Sequence, residues 1–133
     1  MKFNQAQWLF PLAITIHNAE EAIWLPVFWQ RRQWQVPVSA NQFWVATLAL
    51  DVLAFLITYL AVKHGKRSTA ANFYSGFVFV VLLNVVWHLG VAIWYRTYAP
   101  GVVTAVALNL PLTIYLLRRA VRENYISPSP VHS

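Results

Sequence analysis

Three of the chain's four acidic residues, Glu20, Glu21 and Asp51, lie inside apolar runs that hold no lysine or arginine. Two of its four histidines, His17 and His88, do the same, as do Asn84 and Asn109. In His17-Asn-Ala-Glu20-Glu21 the three ionisable residues are spaced i, i+3, i+4, which puts them on one face of a helix. Asn84 and His88 are spaced i, i+4, again one face. Imidazoles facing carboxylates can do acid–base work, or they can hold a divalent cation such as zinc, iron or manganese. The pattern is not the His-Glu-x-x-His of zinc peptidases, and it matches the Glu-x-x-His helices of di-iron bundles only in reversed order.

An ionisable group at membrane depth is costly and by default marks function. At ~1.5 Å rise per residue, all of these polar groups fall in one slab roughly 8 Å thick. The slab holds three carboxylates and no Lys or Arg, a charge balance that apolar surroundings do not tolerate. Three remedies exist: the acids are protonated, a histidine is protonated and pairs with them, or a metal cation sits among them. The expected catalytic set is His17, Glu20, Glu21 and His88. If a divalent metal is held, the expected ligands are His17, Glu20 and His88. Asp51, Asn84 and Asn109 are the expected substrate-binding residues. Read one by one, the asparagines also serve as interhelical hydrogen-bonders, and Asp51 also pairs with Thr47 or a histidine.

The elements that must carry these residues follow from composition. Of 133 residues, 59% are hydrophobic and 11% charged, with a mean hydropathy of +0.49. A soluble chain of this size cannot hide that much apolar surface. The stretches 7–29, 43–62, 73–95 and 102–117 contain no Lys or Arg, and each is near the ~20 residues that cross a bilayer. They read as four transmembrane helices in an all-α, up-down bundle, because the connections are too short for anything but antiparallel neighbours. Residues 1–122 form the expected domain and 123–133, with Ser-Pro-Ser-Pro, an expected disordered tail. The first stretch lacks a cleavage site and is not a signal peptide.

Seven basic residues (Lys2, Lys63, Lys66, Arg67, Arg118, Arg119, Arg122) fall on one side and three (Arg31, Arg32, Arg96) on the other. The positive-inside rule then places both termini in the cytoplasm. A net charge of +6 split this way flanks apolar runs and forms no stripe for nucleic acid. Trp8, Trp29, Trp44, Trp94, Tyr95 and Tyr98 read as interface anchors, Trp24 and Trp87 as bundle packing. Pro111 and Pro26 should free the carbonyls of Ala107 and Ala22. Pro100-Gly101 suits the central positions of a type II turn, which requires positive φ at Gly101. With no cysteine, disulfides and thiolate sites are excluded.

His17-Asn-Ala-Glu20-Glu21, the second histidine His88, and Tyr98-Ala-Pro100-Gly101 together resemble the HXXEE family of small bacterial membrane proteins, defined by those three features in that order. The resemblance covers roughly residues 8–118. It implies a multi-pass protein of the bacterial inner membrane and carries over the two histidines, the two glutamates and the turn. It implies no reaction.

The first functional reading is an intramembrane enzyme, metal- or acid/base-dependent, acting on a lipophilic small molecule that arrives from the bilayer. The alternatives are a proton or cation carrier using the same acids as a relay, for which four spans imply a homodimer, and a non-catalytic ligand-binding or sensor protein. Membrane lipids are the expected partners in all three.

Overall fold

The computed structural model describes residues 1–32, 39–96 and 100–126. Among them there is no strand. A short helix α1 (Phe3–Ala6), which the sequence reading lacked, precedes four longer ones: α2 (Leu9–Arg31), α3 (Ala40–His64), α4 (Thr69–Tyr95) and α5 (Val102–Arg122). Consecutive helices pack together, and the first half of α5 returns against α2 to close the bundle.

Local chemistry sets the helix ends. Ser39 caps α3: its hydroxyl accepts from Gln42 N–H at 3.1 Å while the Gln42 side chain accepts from Ser39 N–H at 2.9 Å, a reciprocal capping box. Ser68 caps α4 by accepting from Ala71 N–H at 3.0 Å. Gly65 ends α3 at φ +77°, a region open to glycine at little cost. Within α5, Leu110 N–H reaches back five residues to Ala105 C=O, so Ala105–Asn109 form a wide π turn. Pro111 has no N–H to offer and would disturb a regular ladder there; the widened turn is how the helix takes it.

α3, α4 and α5 are each long and apolar enough to cross a membrane. The sequence reading expected four such spans. α2 has the length, 23 residues or ~35 Å, but His17, Asn18, Glu20 and Glu21 interrupt its apolarity. The outward faces are apolar throughout, with Val52 68%, Phe73 68% and Ile93 73% exposed, as a lipid-facing surface requires. Trp24 and Trp87 are more than half exposed and belong to that outward face, not to the bundle packing expected of them.

The apolar core lies toward one end, where Phe10, Ile14, Tyr74, Val78 and Leu116 meet around Ala54, Ala61, Ala71 and Ala120. Small residues there let the backbones approach closely. The packed region continues past the boundary expected at residue 122: Tyr125 is buried, its ring edge-on to Phe3 at 4.8 Å. The rest of the expected tail, 127–133, lies outside the described residues, as do Pro37 and Tyr98.

Candidate functional site

The other end of the bundle gathers the polar groups. α2 presents His17 and Glu21 one turn apart, and α4 brings His88 opposite them. Glu21 Oε1 lies 2.7 Å from His17 Nε2 and 2.8 Å from His88 Nε2. The two imidazoles stand edge to face, with centroids 4.8 Å apart, and both histidines are buried. One ligand-type atom from each of the three residues lies within 4.8 Å of the others.

Glu20, one residue earlier, turns to α5. Its Oε1 accepts from Thr104 N–H at 3.0 Å and from the Thr104 hydroxyl at 2.7 Å. The hydroxyl lies 2.8 Å from His17 Nδ1. A hydroxyl has one proton, and here it is spent on Glu20, so Thr104 Oγ1 must accept from His17 Nδ1–H. That assignment, made from the hydrogen-bond pattern, leaves Nε2 as the ring atom facing Glu21. Five groups thus run in line: Glu20, Thr104, His17, Glu21, His88.

The Pro-Gly turn seats directly on the cluster. Gly101 has φ +91° and ψ −15°, the values of the third position of a type II turn, as the sequence predicts. A Cβ on Gly101 would lie 2.5 Å from His88 Cε1 and 3.0 Å from both Glu21 Cγ and His17 Cε1. Glycine is required there twice, for its φ and for its missing side chain. The three motif elements are one contact.

The structure exchanges the places expected for the two glutamates. Glu21 takes the position assigned to Glu20 between the histidines, and Glu20 orients His17 from behind through Thr104. The i+3 and i+4 positions share a face, but only i+4 lies directly over the starting residue in this packing. Asp51 is elsewhere: it accepts from Asn18 Nδ2 at 2.7 Å across the α2–α3 contact. Asn84 lines a cavity of about 110 Å³ together with Glu21 and His88. Asn109 sits buried on the π turn; its main-chain carbonyl accepts from the Thr113 hydroxyl at 2.6 Å, and its side-chain N–H₂ has no hydrogen-bond partner among the described residues.

Two contributors were missed. Asn18 passed as a variable motif position although it is an amide at mid-helix. Thr104 had a signal: three residues after Gly101 is the N3 position of a helix, where a free N–H awaits an acceptor.

The site tests well as a cation holder. His17 Nε2 and His88 Nε2 are fully buried, and neither makes a hydrogen bond of acceptable direction despite its short approach to Glu21. Two imidazole nitrogens and a carboxylate are a suitable donor set for zinc, iron or manganese. Ligands at ~2.1 Å on one tetrahedral ion stand ~3.4 Å apart, so the His17–Glu21 and His88–Glu21 separations of 2.7 and 2.8 Å would widen by roughly 0.6–0.7 Å on loading, within a cluster whose ligand atoms span up to 4.8 Å. The Thr104–Glu20 support of His17 is the outer-sphere arrangement that such ligands use.

Fold and cluster define a class: a small multi-helix membrane protein in which two histidines and a glutamate from two helices meet in one His/Glu centre. Within that class the chain belongs to the HXXEE family; residues 8–116 match the family described as "Protein of unknown function with HXXEE motif". It is similar to YrkK, an uncharacterised protein of Bacillus subtilis (strain 168), at 33% identity over 119 residues, covering 88% of this chain and 75% of that protein. No solved structure matches the chain.

Proposed function

We propose that this chain is an intramembrane enzyme in which His17, Glu21 and His88 hold one divalent cation beside a pocket for a lipophilic small molecule. A single observation carries the reading: two buried imidazole nitrogens converge on one carboxylate oxygen with no directed hydrogen bond between them. A neutral ring nitrogen held at such a distance from a carboxylate oxygen is repelled unless a proton or a cation lies between them, and we take it to be the cation. When bound, the cation supplies Lewis acidity and lowers the pKa of a coordinated water. The chain's own residues do the rest. Glu20 holds Thr104, Thr104 fixes the His17 ring and its tautomer, and Gly101 with Pro100 covers the cluster.

We further propose that the protein lies in the bacterial inner membrane, as the family resemblance implies, with α2 as a fourth span; the seven-to-three charge bias supports cytoplasmic termini. The test is metal analysis of detergent-purified protein. One equivalent of zinc, iron or manganese is expected in the wild type, absent in Glu21→Gln, and bound roughly 10–100-fold more weakly in Glu20→Gln. Wild-type protein that neither retains nor takes up any of the three ions overturns the reading.

The contiguous line of proton-bearing groups from Glu20 to His88 favours one second reading, a proton or cation carrier working as a homodimer. Flux through liposomes that Glu20→Gln abolishes selects it.

A further inference from the structure

Two hollows on α4 share a wall. The inner one, about 110 Å³, lies against Glu21 and His88 and is otherwise apolar, lined by Leu25, Phe28, Val91 and Trp87, with the Asn84 amide as a polar exception. The outer one, about 480 Å³, is a notch on the outward face of α4 between Trp87 and Trp94, with Gly90 at its floor. Trp87 and Val91 belong to both. A Cβ on Gly90 would meet nothing within 4 Å, so the glycine is not required by packing and its effect is to leave the notch open.

We infer that notch and cavity form one binding site for a single-chain lipid with an uncharged oxygen function at its end. The chain lies between Trp87 and Trp94, and the oxygen meets Asn84 beside the His/Glu cluster. This rests on the cluster being a reaction centre, and it adds the class of substrate. Size sets the division. A dry cavity of ~150 Å³ holds benzene, so the inner hollow takes a terminal group of about four or five heavy atoms and a longer chain must stay outside. Polarity sets the end group. Among the described residues no Lys or Arg lines either hollow; the Arg32 guanidinium is stacked on the Phe28 and Tyr95 rings, at 5.4 and 4.6 Å, and Glu21 stands at the inner wall, so a carboxylate or phosphate beside Asn84 would face a like charge. An amide offers one acceptor and a pair of donors, which suits a hydroxyl or carbonyl. Location sets the route. Trp87 is 66% exposed and Trp94 82% exposed on the outward face, so the chain arrives sideways from lipid and not through water.

The experiment is photolabelling in detergent–lipid micelles with a long-chain alcohol that carries a diazirine near its hydroxyl, read by peptide mass spectrometry. Label is expected on Leu25, Trp87 or Val91. Gly90→Leu, which fills the notch, is expected to cut it about tenfold, as an overpacked site of 1–3 kcal/mol implies. Gly76→Leu is the control, because it fills a separate apolar groove on the same helix and its Cβ likewise meets nothing within 4 Å; label there is expected to be unchanged. Val91→Phe closes the inner cavity and gives a second variant if Gly90→Leu folds poorly. The matching carboxylate is expected to label at background. Label spread evenly over α3 positions such as Val45 and Val52, label indifferent to both cavity-filling variants, or equal label from the carboxylate overturns the inference. Repeating the wild type in chelator separates this result from the cation reading: label that persists supports the site even if metal analysis removes the ion, and label that disappears there while metal analysis finds no ion overturns it.

Discussion

The two ends of the bundle bury polar groups in opposite ways. At the core end, Gln7 donates its side-chain N–H to the Tyr125 hydroxyl at 2.7 Å, Tyr125 donates to Ala61 C=O at 3.3 Å, and Tyr74 donates to Gln7 C=O at 3.0 Å. In that trio every partner is neutral and each donor points at an acceptor, while the neighbouring buried Ser75 hydroxyl has no hydrogen-bond partner among the described residues. At the other end, the groups are ionisable, two nitrogens crowd one oxygen, and no directed bond satisfies them. A fully satisfied neutral network fastens helices together. Two ring nitrogens against one carboxylate oxygen make ion pairs when the rings are protonated. The neutral network and the His/Glu cluster occupy separate ends, so each can be disturbed alone.

The largest effect should come from Gly101→Ala. It forces a methyl to within 2.5 Å of the His88 ring and adds backbone strain of about 1–2 kcal/mol. Gly65→Ala is its partner experiment: Gly65 also has positive φ but open space around it, so only strain of about 1–3 kcal/mol applies. Folded yield and cation binding should collapse in the first and yield alone should drop in the second; equal behaviour breaks the claim that the turn is part of the site. Next is Gln7→Leu, which strips partners from the Tyr125 hydroxyl while sparing the cluster. Detergent unfolding should show a loss of about 1–3 kcal/mol, with cation affinity unchanged. A shift in affinity would mean the ends are coupled. Glu21→Gln should do the reverse. In chelator its stability should stay within about 1 kcal/mol of wild type or rise, since a costly buried charge is gone, while cation binding is lost.

The smallest effect is a pH dependence. Burial pushes the Tyr125 phenol above its ordinary value, partly offset by its hydrogen bond with Gln7. A raised folded value means that stability is complete below the unfolded phenol's titration near ~10 and falls as pH climbs through it. Unfolding midpoints of wild type should therefore decline above that pH, and the Tyr125→Phe midpoint should decline less.

The four long helices, the turn and the meeting of both histidines were legible because they rest on run length, on proline–glycine stereochemistry and on the cost of charge in lipid; the short α1 was not. The glutamates' separate duties were not. Glu20 and Glu21 differ by ~100° around the helix, and which of them meets His88 depends on how α2 is rotated against α4. Depth alone grouped Asp51 with the cluster, but Asn18 turns toward α3 and takes it. Thr104's N3 position was legible, but not its partner: which acceptor it meets depends on a turn that folds α5 back over α2.

The order in which the cluster's members leave the ribosome has a consequence for biogenesis. His17, Glu20 and Glu21 are made first, and their partners His88, Gly101 and Thr104 arrive only with the last two helices. Ionised side chains cost about 2.5–3.5 kcal/mol each at a helix centre on the insertion scale, which is why α2 falls short of the apolarity of the other three long helices. The Asn18–Asp51 hydrogen bond gives it the first company, a helical hairpin with α3 that shields one amide and one acid. The glutamates' partners, Thr104 and His88, come from the rest of the chain, so the cluster is assembled only once the last helix is in place.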